Sequence, residues 1–128
     1  MGVPILKEGH YLIASIQTAL TDTDLQGLRD TLVTQVGRDR ARGVIIDVTA
    51  LDVMDSFAVR TLRDIAQMAR LRGAETVIVG IQPEVALSMV ELGLTLEGVN
   101  TALDLEEGLA FLDERTKRAS KGGEVRAR

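Results

Sequence analysis

A chain of 128 residues with 45% hydrophobic side chains is one domain's worth of protein and can bury a real core without staples. It has no cysteine and a single histidine, His10, which excludes disulfides, thiol nucleophiles, cysteine-ligated zinc or iron–sulfur sites and a histidine-rich metal site. The net charge of −4 is uneven: residues 117–128 hold five Lys/Arg and one Glu, which leaves an acidic body with 2% aromatics and no platform for nucleic acid.

No apolar run approaches the roughly 18–20 residues of a membrane span, and no basic segment followed by a long apolar one opens the chain. The expectation is a cytoplasmic, soluble protein: one domain over residues 1–116, followed by a basic, disordered tail over 117–128.

In chain order, Val3 to Lys7 and Tyr11 to Ile16 are short strand candidates joined by Glu8-Gly9-His10, the spacing of a hairpin with a glycine-containing turn. His10 reads as a solvated turn residue. Thr21-Asp22-Thr23-Asp24 is rich in N-cap residues and precedes Leu25, Leu28, Leu32 and Val36 on one helical stripe, with Gly37 at the expected stop. Gly43 to Val48 is β-branched and nearly all apolar, as suits a strand covered on both faces. A helix is expected from about 56 to 72, ended by Gly73, and a second buried strand over Thr76 to Gly80. Pro83 opens another helix with Val85, Met89 and Leu92 as its apolar stripe and Gly93 as its end. Val99 to Leu103 is a short strand, and Asp104-Leu105-Glu106-Glu107 has the capping-box pattern of a final helix carrying Leu105, Leu109 and Leu112. The order β-β-α-β-α-β-α-β-α describes an α/β domain: a mixed β-sheet with an N-terminal strand pair and four helices.

The stretch from Asp47 to Leu62 carries the functional interest. A strand runs into an acidic loop, and the loop into a helix whose apolar positions are Ala58, Leu62, Ile65 and Ala69. Either Asp55 or Ser56 serves as the N-cap, so Ser56 Oγ is expected near solvent and near a positive helix end that suits a phosphate. Met54 and Phe57 are large apolar residues beside this loop; Met54 reads as a contact residue, Phe57 as either contact or core plug. No Walker or dinucleotide fingerprint occurs, and Ser56 has no histidine base within reach of the pattern. Asp47, Asp52 and Asp55 form the best enzyme-like signal, a Mg²⁺-dependent phosphate-handling site. Its receiver-like form would want a lysine after a late strand, and Gly80-Ile81-Gln82-Pro83 has none.

Asp47, Thr49, Asp55-Ser56 and Leu62, at this spacing after a strand, resemble the signature of STAS domains, the anti-sigma-factor-antagonist family, and the order of elements extends the resemblance to the whole chain. Asp55-Ser56-Phe57-Ala58 departs from the Asp-Ser-(Ser/Thr)-Gly form of the simple antagonists that bind an anti-sigma kinase directly, and looks like the RsbS type, the stressosome scaffold. The resemblance implies a non-enzymatic, phosphorylation-controlled oligomer without cofactor or metal. It would assemble with STAS-domain sensor paralogues and hold a serine/threonine switch kinase until Ser56 is phosphorylated. Thr49, Asp52, Met54, Asp55 and Phe57 are the expected partner-binding residues. The alternatives are a simple anti-anti-sigma factor and the Mg²⁺-dependent domain.

Overall fold

Five strands form one sheet in the spatial order β1-β2-β3-β4-β5: β1 (Ile5–Glu8), β2 (Tyr11–Ser15), β3 (Gly43–Asp47), β4 (Glu75–Val79) and β5 (Asn100–Ala102). The computed structural model describes residues 2–127, with side chains for 2–117. β1 and β2 pair antiparallel across the Gly9-His10 turn, where Gly9 takes φ +60°, and the other neighbours pair parallel. The helices are α1 (Asp22–Asp39), α2 (Ser56–Leu71), α3 (Pro83–Glu91) and α4 (Leu105–Ala127).

The strands progress in one direction across the sheet, so right-handed crossovers put α1, α2 and α3 on the same face. That face holds the main core. Leu12 and Ala14 of β2, Val44 and Ile46 of β3 and Ile78 of β4 meet Leu28 and Leu32 of α1, Leu62 and Ile65 of α2, and Val85 and Met89 of α3. Alternate residues Ile13, Ile45, Val77 and Val79 point the other way, where Leu112 of α4 is fully buried against them. Covering both faces is what lets β3 be apolar at successive positions, each such side chain contributing about 1.5–3 kcal/mol when buried. Tyr11 ties α4 to β2, its hydroxyl donating to Asp113 Oδ1 at 2.6 Å; burial, then the Asp113 bond, raises its pKa above the ordinary phenol value.

Helix ends explain where the expected boundaries shift. Gly37 does not stop α1, which continues to Asp39 and ends on Arg40 in the left-handed region at φ 51°. Gly37 is instead a point of close approach, since the Arg72 guanidinium fills the space a Cβ would need. Leu92 is not on the buried stripe of α3; it is 65% exposed. Gly93 at φ +68° reverses the chain, with Gly93 N donating to Val90 O and Leu94 N to Met89 O, so Leu94 rather than Leu92 packs against the core. Leu105 is likewise exposed at 37%. Apart from Lys117, the expected tail over 117–128 lies outside the residues whose side chains are described.

Candidate functional site

Parallel strands direct their carboxyl ends, and the loops that follow, to one edge of the sheet, and residues 48–55 emerge there after β3. Asp47 organises the start of this loop. Its Oδ1 accepts from Thr49 N at 2.9 Å and from Thr49 Oγ1 at 2.6 Å, the local bonding by which a short acid replaces a backbone turn. The loop after β4 closes over the same residue: Gln82 Nε2 donates to Thr49 O at 2.7 Å. Gly80, at φ +80°, leaves the room that the Thr49 side chain fills. Thr49 is exposed but fully committed.

Between Leu51 and the extended cap residue Asp55 the loop turns Leu51 and Met54 inward and leaves Asp52 and Val53 exposed as it enters α2. Met54 is buried at 6% exposure in the main core, which corrects its expected role as a contact residue. It precedes the N-cap and Val59 is the fourth helical residue, the two positions of a hydrophobic staple, and both lie in the same cluster. Val53, passed over in the sequence, faces outward instead at 66% exposure. With Leu51, Met54, Ala58, Ile16 and Leu20 it lines a small apolar recess of about 60 Å³ beside the helix end.

Asp55 is the N-cap, its Oδ1 accepting from Ala58 N at 2.8 Å. Ser56 is therefore the first helical residue and its hydroxyl is released from capping. It is half-buried, and Arg60 Nη2 approaches its Oγ at 3.4 Å. The amides of Ser56 and Phe57 are among those a helix start leaves without intrahelical acceptors, and the first turn of α2 carries no acidic residue. Phe57 is half-buried, between its two expected roles; its carbonyl accepts from the buried Thr61 hydroxyl at 2.8 Å. Asp52 is exposed.

The three carboxylates do not form a metal site. Asp47 is bound to Thr49 and Asp55 to Ala58, and among the described residues no three His, Cys, Asp or Glu side chains converge as ligands. The Mg²⁺-dependent reading loses its ligand set. Among the described residues no helix is long and apolar enough to cross a membrane. The geometry offers a hydroxyl on a rigid helix start, with exposed acidic and apolar side chains around it.

The profile of the STAS domain matches residues 4–108. RsbRA of Bacillus subtilis, an RsbT co-antagonist protein, is 32% identical over 91 residues, 71% of this chain but only 33% of RsbRA. An RsbS variant from Moorella thermoacetica superposes with a TM-score of 0.78 at 36% identity, covering 90% of this chain and 97% of that one. A chain from the molecular architecture of the stressosome, a signal integration and transduction hub, gives 0.72 at 35% identity over 88% of this chain and 98% of that one. The anti-sigma factor antagonist SpoIIAA, at 14% identity and TM-score 0.66 over 91% and 98% of the two chains, shares the fold. With its sheet order, its strand-end Asp47 and its Asp55-Ser56 helix start, the chain belongs to the STAS domain family and, within it, resembles the RsbS-type stressosome proteins.

Proposed function

We propose that this protein is a non-enzymatic, phosphorylation-controlled scaffold that assembles in the cytoplasm with STAS-domain paralogues and holds a serine/threonine switch kinase, releasing it when Ser56 is phosphorylated. The observation that carries the reading is the division of labour at the start of α2: Asp55 caps the helix, and Ser56 Oγ is left as a half-exposed acceptor on a fixed frame. In the modifying step Oγ bonds to the γ-phosphorus of ATP, the hydroxyl proton is lost, and ADP leaves. The phosphate adds about −1.5 to −2 charges where open amides and the helix dipole tolerate it, so the fold survives.

The effect is therefore felt outside. Asp52 and Asp55 already make this surface acidic, and the added charge repels an acidic or apolar partner docked over Val53 and Phe57. Relatives named for RsbT co-antagonism and for the stressosome support the assembly and the kind of partner.

The test is calorimetric titration of the switch kinase into enzymatically phosphorylated and unmodified protein at one salt concentration. Phosphorylation is expected to weaken binding at least tenfold. Equal affinities would end the reading.

A further inference from the structure

Ser56 and Arg60 stand one helical turn apart on α2, at i and i+4, and therefore share a face. Arg60 is exposed and forms no ion pair among the described residues; its recorded contact is the long 3.4 Å approach to Ser56 Oγ. The other arginines that α2 sends outward are spoken for: Arg63 donates to Thr95 O at 3.2 Å and Arg70 to Gly98 O at 2.6 Å. The surrounding charges are acidic. Asp52 and Asp55 precede the helix, Asp64 follows Arg60 by one turn, α1 opens with Asp22 and Asp24, and α3 opens with Glu84. Residues 16–21 and 80–82, the loops after β2 and β4, contain no charged side chain.

A neutral hydroxyl gives a guanidinium little to bind, whereas a phosphate on the same oxygen presents several anionic acceptors that suit the planar fork. We propose that Arg60 is the resident counter-cation of phosphorylated Ser56, closing on the phosphate and holding it against the open amides of the first turn of α2. The inference rests on the reading of Ser56 as a modification site and deepens it. Phosphorylation then changes the docking surface twice: a dianion is added, and the free guanidinium is withdrawn from any partner carboxylate it served. Arg60 acts as a positioning residue for the modified state, not as a participant in phosphoryl transfer.

The experiment needs no kinase. The full chain is produced with phosphoserine incorporated at position 56, and the second ionisation of the phosphate is followed by ³¹P NMR against pH. The native chain, Arg60→Ala, Arg60→Lys and Arg63→Ala are compared. Arg60→Ala is expected to raise the second pKa by about half a unit, the equivalent of an ordinary exposed ion pair. Arg60→Lys keeps part of the lowering, because a point charge lacks the bidentate fork, and Arg63→Ala titrates as the native chain. The difference between native and Arg60→Ala shrinks in high salt. An Arg60→Ala phosphate that titrates like the native one would overturn the proposal. Because no partner is present, that failure leaves the kinase-binding reading standing, and equal kinase affinities would leave this result standing.

Discussion

At Asp55 and Ser56 two neighbouring side chains with similar capping ability take different tasks. Asp55 bonds the Ala58 amide, so Asp55→Ala is expected to cost about 1 kcal/mol of stability in a urea titration. Ser56→Ala, at the first helical position, is expected to stay within about 0.5 kcal/mol of the native chain, and Ser56→Asp to gain about 0.3–1 kcal/mol, because the first turn of α2 has no acid to complement the dipole. A larger loss for Ser56→Ala than for Asp55→Ala would reverse this assignment. Spacing alone allowed either residue as the cap, since both carry an oxygen of suitable reach; the choice depends on where the extended loop turns into the helix.

The loop between β3 and α2 behaves as an element in its own right, latched at Thr49 by Asp47 and Gln82 and plugged into the core by Met54. Met54→Ala is expected to destabilise the fold by about 2–5 kcal/mol, the range for emptying a buried site of that size. Val53→Asp, two-thirds exposed, is expected to leave stability within about 0.5 kcal/mol while weakening kinase binding, checked by denaturation and titration on the same samples. If Val53→Asp unfolds the protein, or binds as the native chain does, Val53 is not a docking residue. Large apolar character beside an acidic loop points to Met54 as the contact residue and not to its neighbour Val53. Their opposite directions follow from the staple that turns Met54 toward Val59 in the core, which the pattern of a residue before an N-cap could have signalled.

At the scale of the whole molecule, one sheet face lies under three helices and the other under α4, and α3 shows Leu87 at 60% and Val90 at 76% exposure on its outer side. Light scattering after size exclusion is expected to give masses above a single chain, either alone or mixed with a STAS paralogue; a strict monomer at high concentration in both cases would count against the scaffold assignment. The order and kind of every element, the hairpin at Gly9, the cap-rich run from Thr21 to Asp24, the capping box at Asp104 and the Asp47-to-Ser56 segment as the candidate site were legible along the chain, because periodicity, caps and turn glycines act through sequence neighbours. It took the packed fold to show that Gly37 makes room for Arg72, that Leu94 replaces Leu92 in the core, that Met54 faces in and Val53 out, and that Arg60, without an ion pair among the described residues, reaches Ser56 Oγ. Each of those outcomes depends on which surface another element brings against the residue, and a one-dimensional pattern holds the period of a face but not what comes to cover it.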